Sequence, residues 1–225
     1  MKILLGIQAR ISSKRLPKKV MKKVNGYPLL FYIIERLKKT KLSGSIYVLT
    51  SFEKSDLMIV KYCQKNKINT FRGDLNNVFS RYIEFVKEKK IDAVIRISAD
   101  SPLIDFNIVN TMYDLFLQNS DYDLVTNVFP RTFPFGQSVE ILKSSTLQFL
   151  SKKKLKLEDK EHVTSFIYKN PKLFRILNYK NIKNQSPIRL SIDNENDFCN
   201  FKKFVMENNN FLDFNLDEII KKWPQ

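Results

Sequence analysis

Apolar and polar positions follow two rhythms along this chain. Ile3 to Ile7 is a short apolar run and predicts a buried strand. Residues 8–27 are polar, basic and irregular. Leu29, Leu30, Ile33, Ile34 and Leu37 then recur at helical spacing, predicting a helix to about Thr40 with Pro28 in its first turn. Ser45 to Thr50 reads as a second strand, and 56–66 as a helix with Leu57, Val60 and Cys63 on one face. Asn69 to Phe71 is a brief strand before the loop Arg72-Gly73-Asp74. Val78, Phe79, Tyr82, Ile83 and Val86 mark another helix. Asp92 to Ile97 is the clearest strand of this half and runs into Ser98-Ala99-Asp100-Ser101-Pro102. A helix over 105–118, opened by Asp105 as N-cap, and a strand at Asp123 to Thr126 follow.

Strand and helix alternate in this way as far as Asn127. That rhythm predicts βαβ units: a three-layer α/β/α fold with a mostly parallel, Rossmann-like sheet. Beyond Asn127 the rhythm loosens. Strands are predicted at 137–142, 173–178 and 188–192, and helices at 144–154, 158–169, 195–207 and 215–222. No repeat or linker interrupts the chain, so 1–225 reads as a single domain with a less regular second half.

Rare residues narrow the chemistry. The five glycines, at 6, 26, 44, 73 and 136, are too far apart for a dinucleotide fingerprint or a P-loop. One histidine, His162, excludes paired-histidine zinc motifs, and the isolated Cys63 and Cys199 suggest no disulfide framework. These features predict a reduced, cytoplasmic setting. The N-terminal apolar run is too short for a signal peptide, and no stretch approaches a membrane span.

Charge adds one localised feature. The net charge is +16, from 39 Lys and Arg against 23 Asp and Glu. Most of the excess is lysine, in a chain also rich in the other residues of AT-rich codons. Between Arg10 and Lys23, however, basic residues meet no acidic one, and Ser12 and Ser13 lie among them. Ligands of open α/β sheets sit beyond the carboxyl ends of strands, and this loop follows the first. Guanidinium forks, ammonium groups and hydroxyls there suit a polyphosphate, although charge alone fits a solvated loop equally well.

Residue order goes further than charge. Ala9, Arg10, Ser13, Arg15, Leu16, Pro17 and Lys19 match an A-R-x-x-S-x-R-[LI]-P-x-K loop. Further matches are Phe71-Arg72-Gly73, Ser80-Arg81-Tyr82, the run from Arg96 to Asp105, Glu161-His162-Val163-Thr164 and the run from Arg189 to Asp193. In these the chain resembles the cytidylyltransferases that activate acidic sugars, and within them the spore coat polysaccharide biosynthesis protein F branch. Three positions depart from the pattern: Ser12 and Lys18 stand where glycine is usual, and Ser138 where aspartate is usual.

The resemblance implies a sheet of the nucleotide-diphospho-sugar transferase (GT-A-like) type. It implies a Mg²⁺-dependent transfer of CMP from CTP to an acidic sugar or related small acid, releasing pyrophosphate, for surface polysaccharide assembly. Residues 1–127 would be the nucleotide-binding half, and 128–225 the acceptor-binding and homodimerisation half. Gln8, Ala9, Arg10, Ser12, Ser13, Arg15, Lys19, Arg72 and Asp100 would bind nucleotide. Arg10, Arg15, Lys19 and Asp100 would carry catalysis, with Asp100 and Asp193 as metal ligands. Arg81, Glu140, His162 and Arg189 would meet the acceptor.

Each assignment has a plainer counterpart. Asp100 also fits a turn before Pro102, Asp193 a helix N-cap, and His162 a structural hydrogen-bonding residue. Arg96 and Arg189 lie on predicted strands, where arginine needs a buried partner or a ligand. Two other functions stay open. A GT-A glycosyltransferase would need a D-x-D metal motif, and the only one, Asp121-Tyr122-Asp123, precedes a strand rather than following it. A nucleic-acid binder would use the net charge, but no recognition motif accompanies it, so no nucleic-acid partner is expected.

Overall fold

The computed structural model describes residues 1–224. In chain order it forms β1 (Ile3–Gln8), β2 (Lys23–Val24), β3 (Tyr27–Pro28), α1 (Leu29–Leu37), β4 (Ile46–Ser51), α2 (Leu57–Lys65) and β5 (Asn69–Gly73). There follow α3 (Val78–Lys89), β6 (Ala93–Ser98), α4 (Phe106–Gln118), β7 (Leu124–Thr126), β8 (Glu140–Lys143) and α5 (Ser144–Ser151). The chain ends with α6 (Leu157–Glu161), α7 (Ser165–Lys169), β9 (Ile176–Asn178), α8 (Glu195–Glu207) and α9 (Leu216–Lys222).

One sheet organises these elements, in the order β5-β4-β1-β6-β8-β7-β9. Its first four strands are parallel, and β7 is parallel to β9; only β8 runs against both of its neighbours. Alternating strand residues face two separate cores. Ile3, Leu5 and Ile7 of β1 pack with α1, α2, α4, α8 and α9 on one face, whereas Leu4 packs with α3, α5 and α7 on the other. Burial on both faces is why β1, β4 and β6 read as nearly continuous apolar runs. The expected mostly parallel α/β sheet with helices on both sides is therefore present.

The strand order also places the site. The chain builds β1, β4 and β5 outward, then returns to add β6 on the opposite side of β1. Loops leaving β1 and β6 must diverge there, which opens a crevice at their carboxyl ends. Residues 9–18 leave β1 at that crevice, and Ser98-Ala99-Asp100 leaves β6 beside them.

Several local expectations are corrected. Lys23–Pro28 forms a small antiparallel hairpin that the basic loop had concealed, and Pro28 caps α1 from outside the helix. The apolar segment Ile188–Ile192 is not a strand. It is buried at Leu190 and Ile192 but makes only a single bridge, Phe135 with Arg189. Residues 158–169 break at His162-Val163-Thr164 into α6 and α7, because Val163 and Thr164 turn inward to be buried. Asp105 caps α4 as expected, accepting from Asn107 N at 2.8 Å, and its other oxygen holds Leu216 N at 2.7 Å. Among the described residues no helix is long and apolar enough to cross a membrane.

Candidate functional site

The crevice is a cleft of about 930 Å³. Gln8 lines it from the end of β1, Arg10, Ser12, Ser13, Arg15 and Lys19 from the segment that follows, Asp100 from the turn after β6, and His162 and Asp193 from the second half. Nine of the residues singled out in the sequence thus meet in one cavity.

The loop keeps its shape through a residue that sequence reading missed. Asp56 is fully buried, and its carboxylate accepts from Ile11 N at 2.7 Å, Ser51 N at 3.0 Å, Thr50 Oγ1 at 3.0 Å and Ser51 Oγ at 2.5 Å. A carboxylate with this many donors holds a fixed geometry. It ties the loop after β1 to the end of β4, while buried Ile11 and Leu16 anchor the loop to the core. The only forewarning was a Thr-Ser pair at a strand end followed closely by an aspartate. Lys18 takes φ 56°, a left-handed conformation that glycine adopts more readily. That geometry explains why a glycine would suit this position.

Two carboxylates and one ammonium form the centre of the cleft. Lys19 Nζ lies 3.4 Å from Asp100 Oδ2 and 3.2 Å from Asp193 Oδ1. Arg15 donates to Asp193 Oδ1 at 3.0 Å, and Arg189 to Asp193 Oδ2 at 3.0 Å. The backbone sets this meeting, since Ile192 N donates to Asp100 O at 2.8 Å and so carries Asp193 to Asp100. Asp193 does not cap α8; Asn194 does, in a reciprocal box with Asp197. Both carboxylates therefore face the cleft. Among the described residues no three metal-ligating side chains converge. Two hard oxygen donors sharing one cation nevertheless fit a Mg²⁺ ion, which takes few protein ligands and leaves the rest to water and phosphate.

An ion pair forms part of the cleft floor: Arg96 lines the cleft, and its partner Glu140 is buried behind it. Glu140 is buried and pairs with Arg96, and it also accepts from Thr164 Oγ1 at 2.7 Å and Tyr168 OH at 2.6 Å. Burial alone would raise the Glu140 pKa, but the Arg96 charge and the hydrogen bonds outweigh it and hold the carboxyl below its ordinary value. Burial and the adjacent Glu140 charge push the Tyr168 hydroxyl far above its ordinary value. Arg96 also donates to Gln8 Oε1 at 3.1 Å, which directs the Gln8 amide nitrogen away from this bond.

The remaining expected contacts are placed as follows. Glu140 is enclosed by protein partners and holds Arg96, so it offers an acceptor no free oxygen surface. Arg81 has no exposed surface; its guanidinium bonds Asp74 O at 2.5 Å and 3.2 Å. Ala9 is buried, and its N–H bonds Leu49 O at 3.0 Å. Arg72 donates to Ser51 O at 2.9 Å and covers the Phe52 ring, outside the cleft lining. Arg189 reaches the cleft only through Asp193. Conversely Glu161, paired with Arg10 at 3.0 Å, lines the cleft, as does Asn76, and neither was singled out for that role.

The asparagine-free motif Asp121-Tyr122-Asp123 stands at the start of β7, at the opposite end of the sheet. Asp121 pairs with Arg175 at 2.7 Å, and Asp123 accepts from Arg175 N at 2.9 Å and Thr146 Oγ1 at 3.0 Å.

Comparison with known proteins identifies relatives of this chain. Residues 5–219 fit the family model described as Cytidylyltransferase. The chain is 29% identical to the spore coat polysaccharide biosynthesis protein SpsF of Bacillus subtilis, over 97% of this chain and 92% of that protein. A solved cytidylyltransferase from Leptospira borgpetersenii superposes with a TM-score of 0.94 at 33% identity, covering 98% of this chain and 93% of the other. A CMP:2-keto-3-deoxy-manno-octonic acid synthetase solved with CTP shares the fold at a TM-score of 0.72 and 14% identity, over 92% and 99% of the two chains.

Proposed function

Because the chain belongs to the cytidylyltransferase family and is a CTP-dependent nucleotidyltransferase, we propose that it transfers CMP to a sugar acid or related small acid, releasing pyrophosphate, for surface polysaccharide assembly. The observation that carries this reading is the cleft centre: Lys19 shared by Asp100 and Asp193, with Arg10 and Arg15 beside it.

In this reading the triphosphate lies along the first loop. Arg10, Arg15 and Lys19 neutralise its charge, and the Ser12 and Ser13 hydroxyls and loop N–H groups orient it. Asp100 and Asp193 would hold Mg²⁺, which supplies charge stabilisation at the phosphate and the attacking oxygen. An acceptor oxygen attacks the α-phosphorus, the bond to the bridging oxygen breaks, and pyrophosphate leaves. His162, on the cleft wall contributed by the second half, either takes the acceptor proton or contacts its acid group. Such a transfer needs positioning and neutralised charge rather than a nucleophilic side chain.

Residues 1–127 thus serve the nucleotide and 128–225 the acceptor. Phe129, Phe135, Phe149 and Leu157 are exposed in the second half, and a second copy would pack against this half. A glycosyltransferase reading loses its metal motif, since Asp121 and Asp123 bind structural partners away from the cleft.

The test measures thermal stabilisation by CTP with Mg²⁺, followed by pyrophosphate release across a panel of sugar acids and phosphorylated acids. Stabilisation by CTP and release with at least one acid are expected. If CTP, UTP and ATP all leave the melting temperature unchanged, the proposal fails.

A further inference from the structure

A second basic run lies outside the cleft and has no part in the chemistry above. From Ile141 to Leu157 lysine recurs at 143, 152, 153, 154 and 156, with no acidic residue among them. Lys152, Lys153, Lys154 and Lys156 are exposed in the segment between α5 and α6. Among the described residues none of these four ammonium groups pairs with a carboxylate. Glu158 and Asp159, the first acids after the run, are both taken by Lys169, at 2.6 Å and 3.1 Å. Free lysines alone are ordinary in so basic a chain. The apolar residues set among them distinguish this run.

Leu157 is 84% exposed at the start of α6, and Phe149 is exposed in the last turn of α5. Lys153 Nζ lies 4.5 Å from the centre of the Phe149 ring. Phe149 meets Phe174 edge-on at 6.1 Å, and the exposed Lys172 and Leu173 precede Phe174 in the chain. Ammonium groups and exposed apolar side chains thus share one patch, on the sheet face covered by α3, α5 and α7. The patch is also near the cleft. α6 begins in it at Leu157 and ends at Glu161, and Glu161 and His162 line the cleft.

Charge and shape select the partner. Two copies meeting here across a twofold axis would oppose lysine to lysine. A nucleic acid would be held by arginine forks and free aromatic faces. Arg175, the arginine next to Phe174, is paired with Asp121 instead, and Lys153 covers Phe149. An anionic bilayer suits both halves of the patch: ammonium groups lie among its headgroups, and leucine and phenylalanine reach its acyl boundary. We propose that the segment Lys152–Leu157, with Phe149 and Leu173, seats this protein peripherally on an anionic phospholipid surface. The proposal goes beyond the transfer reaction and places the cleft, one short helix away, beside the bilayer.

The test is co-sedimentation of the full chain with vesicles of phosphatidylglycerol and phosphatidylcholine in equal parts, without nucleotide. Vesicles of phosphatidylcholine alone are the neutral control. The anionic vesicles should bind the protein, less tightly as NaCl is raised, and the neutral ones should not. Lys152→Gln, Lys153→Gln and Lys154→Gln together should weaken binding about a hundredfold at low salt. Leu157→Ser should weaken it about fivefold, the scale of one partly inserted side chain. Lys61→Gln, Lys65→Gln and Lys202→Gln together remove the same charge from α2 and α8, on the opposite sheet face, and should weaken binding roughly threefold or less. All these positions are exposed, and melting temperatures near that of the wild type would confirm that the fold is kept. The proposal is overturned if anionic vesicles do not bind or if the two triple variants bind alike. It is equally overturned if the patch variants change the mass of the assembly in solution, or the affinity for a single-stranded oligonucleotide, in place of vesicle binding. Because no nucleotide is present, neither result touches the transferase reading.

Discussion

Two clusters of opposite charge lie within one molecule and behave differently. At the cleft centre Lys19 stands between Asp100 and Asp193 at 3.4 Å and 3.2 Å, and Asp193 is further shared with the solvent-exposed Arg15 and Arg189. Behind the floor, Glu140 is enclosed by Arg96, Thr164 and Tyr168. The first cluster is open and held by loosely shared cations, so its partners can be exchanged for a ligand. In the second the carboxylate is enclosed and only Arg96 reaches the cleft, so Glu140 can only hold its partner in place. The contrast shows that a charged residue near a site acts on substrate only if its partners can leave.

The largest effect should come from the closed cluster. Glu140→Gln leaves Arg96, which only partly reaches the cleft, without its counter-charge and should cost about 3 kcal/mol of stability, read by chemical denaturation. The sign with pH follows from the lowered carboxyl pKa. The Glu140 contribution is complete above the ordinary carboxylate range and disappears as pH falls through the lower folded-state value. The variant should lack that acid-side loss. A stable Glu140→Gln with impaired turnover alone would erase the contrast.

The open cluster should show the reverse. Asp100→Asn should lower turnover by roughly 10²–10³-fold, the scale for removing one preorganised charge-stabilising group. Its unfolding midpoint should stay close to that of the wild type, since the carboxylate borders the cleft. A large loss of stability would show that Asp100 is structural after all.

The smallest effect sharpens the idea of exchange. Lys19→Met removes the ammonium that both carboxylates share. Mn²⁺ binding without nucleotide, followed by electron paramagnetic resonance, should tighten by about fivefold, as expected for a partly exposed pair worth about 1 kcal/mol. The same variant should raise the KM for CTP. Unchanged Mn²⁺ affinity would mean that Lys19 and a metal do not compete for these oxygens.

Legibility differed between the two halves for a physical reason. In the first half the central strands β1, β4 and β6 are buried on both faces and the helices on one, so apolar spacing and tertiary position coincide. In the second half apolar residues are buried by loops as well as strands. Leu190 and Ile192 are apolar because they pack into the core, and periodicity cannot tell that from strand pairing. Arg81 and Glu140 were expected to meet the acceptor but are buried, and nothing in one-dimensional order marks which way a side chain faces. Asp56 was invisible as an anchor because its partners are a loop amide and the end of another strand.

The chain order alone therefore determined the alternating α/β frame and the basic loop after the first strand, and it marked Asp100 and Asp193 as carboxylates following apolar segments. It could do so because local periodicity and loop chemistry are properties of neighbours in sequence. Only the tertiary structure decided that the two aspartates share one ammonium. Their 93-residue separation is closed by a single backbone bond, Ile192 N to Asp100 O, made possible by the second half packing onto the carboxyl ends of β1 and β6.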